Sequence, residues 1–148
     1  MSEKISILKL MTKDHGKIDT LIDRLEEKSK GDFSEMKKAF HNFEWELEKH
    51  IFTEEKAIFT DYDPEDVNEG YRMLPELTKQ HNYIINTLNN WRTDIRHKKV
   101  PRDLYGMKEF LRKHREFEEK DVYPKLDETL DEDEKRNIVS KINEIIQR

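Results

Sequence analysis

Apolar residues recur along this chain at three- and four-residue intervals in four long stretches, each of which predicts an amphipathic helix. The first is expected from about Ser2 or Glu3 to about Lys28, with Leu8, Met11, Ile18, Ile22 and Leu25 on its stripe and Gly31 in a helix-ending conformation. Asp32 or Ser34 can cap the second, which continues to about Thr60 through Met36, Phe40, Phe43, Leu47 and Ala57. Asp63 and Pro64 predict a short helix leading to Gly70. The third long helix then runs from Leu74 or Pro75 to about Lys98, carrying Leu77, Ile84, Leu88, Trp91 and Ile95. Pro101 is placed in the first turn of the fourth, whose stripe is Leu104, Met107, Leu111 and Val122 and which ends or bends at Pro124. A closing helix from about Asp131 has a capping box in Asp131 and Glu134 and an apolar row of Ile138, Ile142 and Ile145.

Each of the four long stripes is interrupted by polar residues on the face meant for the core. They are His15 in the first, His50 and Glu54 in the second, His81 in the third, and His114 and Glu118 in the fourth. Short links make helices 1 and 2, and helices 3 and 4, antiparallel neighbours. The midpoint between His15 and His50 falls in the first link and that between His81 and His114 in the second, so all four histidines come to about one level. The expected fold is all-α: an up-down-up-down four-helix bundle over about residues 3–126, with a packing helix over about 131–148. Together they form one domain, 1–148.

Composition agrees with this picture and removes several alternatives. Only 34% of the 148 residues are hydrophobic and 41% are charged, as suits helices with one buried stripe and solvated outer faces. The net charge of −5 is spread without a basic strip, which gives no support to nucleic-acid or membrane binding. With no cysteine there are no disulfides, thiolate nucleophiles or cysteine-held clusters. Charges break up the N-terminal stretch, so neither a signal peptide nor a spanning segment is expected, and a cytoplasmic location follows.

The interruptions belong to an internal repeat. HIFTEEKAIFT, from His50 to Thr60, returns 64 residues later as HREFEEKDVYP, from His114 to Pro124. Each copy is preceded by a second element, TKDH ending at His15 and TKQH ending at His81. A His and a Glu four apart share a helix face, but that spacing alone is common in so acidic a chain. The register within the apolar seams makes it specific. Burying four imidazoles and two carboxylates without partners is expensive, so something must satisfy them. Paired His–Glu hydrogen bonds that fix helix register are one solution. Metal is the other: nitrogen and carboxylate donors without thiolate suit iron, manganese or zinc, and this donor count suits two ions sharing the carboxylates.

With these motifs the chain resembles the hemerythrin-like proteins of the HHE cation-binding type over about residues 8–126. The resemblance implies a four-helix bundle holding a non-haem di-iron centre with an oxo or hydroxo bridge, iron standing ahead of manganese or zinc. It implies that His15 and His50 bind one iron, that His81 and His114 bind the other, and that Glu54 and Glu118 bridge. The order His before Glu separates the chain from the ferritin-like carboxylates. Oxygen-carrying members have a further His one turn after the third-helix ligand, where this chain has Ile85, and the iron–sulfur repair members carry an N-terminal cysteine segment that this chain lacks.

The expected activity is binding or reaction with a small oxidant (dioxygen, nitric oxide or peroxide) as a sensor or scavenger. Iron storage, delivery or repair, and a redox- or metal-dependent regulatory binding module with an unidentified protein partner, are the alternatives. Surface positions are expected for His41 and His97, and outer-face salt bridges with lysines for Glu55 and Glu119. Phe59 and Tyr123 should pack beneath the site, with the Tyr123 hydroxyl available to a bound ligand. Ile85 and Trp91 should line the core, Ile85 crowding the metal pocket. Each ligand His needs a partner for its other ring nitrogen, which the sequence does not identify.

Overall fold

The computed structural model describes residues 5–58 and 67–147, the side chains of 67–74 and 146–147 excepted. Among these residues every regular element is helical: α1 (Ile7–Lys28), α2 (Phe33–Thr53), α3 (Val67–Arg96), α4 (Leu104–Phe117), α5 (Tyr123–Thr129) and α6 (Glu132–Gln147). α1 packs on α2 and α4, and α3 packs on the same two helices. No helix among the described residues is long and apolar enough to cross a membrane.

The predicted stripes are the buried ones. Ile18, Ile22, Leu25, Phe40, Phe43, Leu47, Ile84, Leu88, Trp91, Met107 and Leu111 join one apolar cluster. Met11, Ala57, Leu77, Val122, Tyr123 and Leu126 join a second, to which α6 adds Ile138 and Ile142. On every long helix the first cluster lies to one side of the His and Glu positions and the second to the other. The polar layer therefore divides the core in two, and α5 and α6 enlarge the half below it.

Several boundaries differ from expectation, each for a local reason. α1 begins at Ile7, and the start expected near Ser2 or Glu3 falls outside the described residues. Ser6 caps it by accepting the Lys9 N–H. A second cap comes from far along the chain: Asp127 accepts the Ile7 N–H at 2.7 Å and the Leu8 N–H at 3.1 Å. A carboxylate here satisfies two free donors and faces the positive end of the helix dipole. Replacing Asp127 with Ala is expected to cost about 2 kcal/mol, read from the urea midpoint; an unchanged midpoint would show that the distal cap contributes nothing.

Gly31 does not take a left-handed conformation; α1 stops as the Ser29 hydroxyl donates to the Glu26 carbonyl. The third helix is one continuous element with Pro75 inside it, rather than a short helix and a restart. Proline there removes a single hydrogen bond to the carbonyl four residues back, and the long stripe that follows holds the helix to the core. The proposed cap at Asp63 and Pro64 falls outside the described residues. Pro101 precedes α4 instead of opening it. The true cap is Asp103, in left-handed conformation, whose carboxylate accepts the Gly106 N–H. Trp91 Nε1 donates to the Arg102 carbonyl at 2.7 Å and Asp94 accepts Arg102 Nη2 at 2.8 Å, so this turn is fixed to the core. The Asp131 and Glu134 capping box forms as expected, each side chain accepting the other's backbone N–H.

The largest difference lies at the repeated motif. α2 does not continue as an α-helix toward Thr60; it passes into a π-helical turn over Glu54–Ile58. α4 does the same over Glu118–Val122, where the Tyr123 N–H donates to the Glu118 carbonyl five residues back. α5 then restarts with Pro124 in its first turn, where a missing N–H is tolerated.

Candidate metal centre

Both π turns open on a glutamate of the polar layer. A π turn inserts one extra residue into a helical turn, and such widenings recur at functional sites. Here each lies immediately after a His–Glu pair, so the repeat is shared by sequence and backbone alike.

The layer brings all six predicted residues together. Glu54 and Glu118 have no exposed surface, and His15, His50, His81 and His114 are at most 5% exposed. One donor atom from each of His15, His50, Glu54 and Glu118 lies within 4.8 Å of the others, and the same holds for Glu54, His81, His114 and Glu118. The two quartets share both carboxylates. Ligands about 2.0–2.2 Å from an ion stand at most about 4.4 Å apart across it, so each quartet is close to the size an ion requires.

The contacts within the layer are close, and only part of them are hydrogen bonds. His15 Nε2 stands 3.1 Å from both His50 Nε2 and Glu118 Oε1. His50 Nε2 contacts Glu54 Oε1. His114 Nε2 is 3.0 Å from Glu118 Oε1 without the alignment of a hydrogen bond, and His81 Nε2 is 3.7 Å from Glu54 Oε2. His81 Nε2, His114 Nε2 and Glu118 Oε2 are buried without a hydrogen-bond partner. Convergent donor atoms of which several stay unpaired fit a pair of cations better than a closed set of His–Glu bonds that merely fixes register.

The outer ring nitrogens explain the orientation of the imidazoles. His50 Nδ1 donates to Asp14 Oδ2 at 2.5 Å and His114 Nδ1 to Gln80 Oε1 at 2.5 Å. His81 Nδ1 donates to Glu55 Oε1 at 3.1 Å, and His15 Nδ1 lies 3.5 Å from Glu119 Oε2. A proton held at Nδ1 leaves the Nε2 lone pair aimed inward, the arrangement a metal ligand needs. These partners follow the repeat. Asp14 and Gln80 each precede the first His of a half and reach the second; Glu55 and Glu119 each follow a shared glutamate and reach across to the other half. For Glu119 the expected outer-face salt bridge with a lysine is corrected: its side chain lies beside a buried imidazole and near Arg115. Glu55, expected in the same role, also reaches a buried imidazole. Asp14 and Gln80 escaped sequence reasoning although they occupy the one variable position of the TKxH element.

Charge follows from this geometry. Burial opposes protonation of His50, but Glu54, Asp14 and Glu118 outweigh it and hold the imidazole well above its ordinary range. His81 is raised as well, burial being overcome by Glu54 and Glu55. Burial disfavours ionised Glu118, yet its contacts with Glu54, His114 and His15 bring it well below the usual carboxylate range. The carboxylates thus favour protons on His50 and His81, and the histidines beside Glu118 favour its ionised form.

Tyr123 is fully buried beneath the layer as expected, its ring centroid 5.8 Å from that of His15. Its hydroxyl completes no hydrogen bond, and burial together with the nearby Glu118 and Glu54 charges drives its pKa well above the ordinary phenol range. Its counterpart Phe59 falls outside the described residues. Trp91 is buried in the core. Ile85 does not line the core or crowd the site: it is 39% exposed and lines a surface groove with Phe52, Leu88 and Arg92. Ile84 takes the inward position, and the next residue turns about 100° away. His41 and His97 are exposed, as predicted.

A family model described as the hemerythrin HHE cation binding domain matches residues 6–126. Comparison with curated proteins and with solved structures gives no significant match.

Proposed function

Since the chain belongs to the hemerythrin HHE cation-binding family, we propose that it is a non-haem di-iron protein that binds or reacts with a small oxidant as a sensor or scavenger. The observation that carries this reading is the pair of buried quartets sharing two carboxylates. His15 and His50 would hold one iron, His81 and His114 the other, and Glu54 and Glu118 both, within a single up-down-up-down four-helix domain. Four protein donors per ion leave about two of six positions free. Two irons would supply reversible one-electron redox chemistry and open positions for dioxygen, nitric oxide or peroxide.

The chain's own part is to orient and to shield. Asp14, Gln80 and Glu55 hold three of the imidazoles by hydrogen bonds and Glu119 lies beside the fourth, while the apolar clusters on either side keep bulk water from the layer. The Tyr123 hydroxyl offers a donor to a ligand that enters. Tyr123→Phe is accordingly expected to retain both metals and to weaken azide binding by up to about tenfold, the worth of one hydrogen bond, in a spectrophotometric titration. An unchanged azide affinity would remove the tyrosine from this role.

The function itself is tested by metal analysis together with absorption spectra of the reduced protein exposed to dioxygen, nitric oxide and peroxide. Two irons per chain and a spectral change with at least one of these are expected. Iron that reacts with none of them, yet passes rapidly to a mild chelator, would move the reading to iron storage or delivery.

A further inference from the structure

The outer partners of the four histidines obey the internal repeat in position but not in charge. Asp14 and Gln80 are equivalent residues that make equivalent contacts, each 2.5 Å from the Nδ1 of the second histidine of its half. One is a carboxylate and the other a neutral amide. The remaining pair, Glu55 and Glu119, is acidic in both halves. The imidazoles of His15 and His50 are therefore backed by two carboxylates, and those of His81 and His114 by one. Two further features separate the halves: Arg115 stands 3.5 Å from Glu119 and offsets part of its charge, and His15 Nδ1 completes no hydrogen bond whereas His81 Nδ1 donates to Glu55. Asp14 and Gln80 make hydrogen bonds of equal length, so between these two only the charge differs.

We propose that the difference between Asp14 and Gln80 makes the two metal positions unequal, so that a divalent cation fills the His15/His50 position first and the His81/His114 position second. The proposal rests on the two-metal reading above. A carboxylate that accepts the Nδ1 proton draws it away from the ring, increases electron density at Nε2 and adds a negative charge near the cation; an amide oxygen does less of both. Changes in such outer partners typically alter metal affinity by 10–100-fold. Asp14 and Gln80 are thus positioning residues that act through His50 and His114.

Isosteric exchanges test this with little change of shape. Stepwise affinities for cobalt(II) are measured by competition titration, and occupancies are read from anomalous scattering in crystals loaded with one equivalent. Wild-type protein should bind its two ions with affinities about 10–100-fold apart and place the first between His15 and His50. Asp14→Asn should bring the two affinities together, and the double variant Asp14→Asn, Gln80→Glu should move the first ion to the His81/His114 position. Circular dichroism confirms folding, and a merely structural role would not reverse the order of filling. Two equal sites in the wild type, or a preference that survives the exchange, overturns the proposal and leaves the two-metal reading intact. Saturation at fewer than two ions per chain overturns both.

Discussion

Glu54→Ala and Glu118→Ala are each expected to lose most of the bound metal, whereas His41→Ala should retain it all. Each glutamate belongs to both quartets, so its removal takes a donor from two ions at once. The loss in affinity should exceed the 10–100-fold typical of outer partners. Both carboxylates are fully buried, and they favour the protonated forms of His50 and His81, so removing one also takes away negative charge that compensates these imidazoles. Breaking a buried ion pair on one side costs about 3–5 kcal/mol. Metal per chain, with circular dichroism to establish folding and Glu→Gln variants to preserve volume, separates the two effects. Equal metal content in Glu54→Ala, Glu118→Ala and His41→Ala protein would sink the site assignment.

Metal-free and metal-loaded protein should respond in opposite senses to rising pH. The pKa values of His50 and His81 are raised in the folded chain. Their stabilising contribution is therefore complete below about pH 6.5 and disappears as the pH climbs through the folded values. Glu118 is depressed, so its contribution is present above about pH 4.3 and disappears as the pH falls through its folded value. Metal-free protein should thus be most stable in the mildly acidic interval between these limits and weaken above it. A cation displaces the Nε2 protons, so its affinity grows with pH, and free metal at 100 times its dissociation constant adds about 2.7 kcal/mol per site. Denaturant midpoints between about pH 5 and pH 8, with and without metal, should diverge. A metal-free protein that gains stability steadily over that range contradicts the charge state described for the layer.

The apolar seams and the six inward polar residues were legible because burial imposes a helical period on the sequence, and a departure from that period stands out. Pro75 and Ile85 were misread because a local rule gave way to context. Proline removes one hydrogen bond from a helix with many, and Ile85 follows an isoleucine that already fills the inward place. Asp14, Glu55, Gln80 and Glu119 were hidden for another reason. They sit beside a buried residue in sequence, about 100° away around the helix, where the period assigns them to solvent; only their reach to a neighbouring helix makes them partners of the site. The π turns leave no trace in the periodicity, because Ala57 and Ile58, like Val122 and Tyr123, are apolar and satisfy either winding.

Both π turns stand at matching places of the repeat, so each half has a widened turn after its glutamate. Each half supplies two histidines and one glutamate, and only the two together provide both quartets. In an assembly of two identical halves, position 14 and position 80 would be one and the same residue and could not differ. A single polypeptide carrying both halves can place an aspartate at one and an amide at the other.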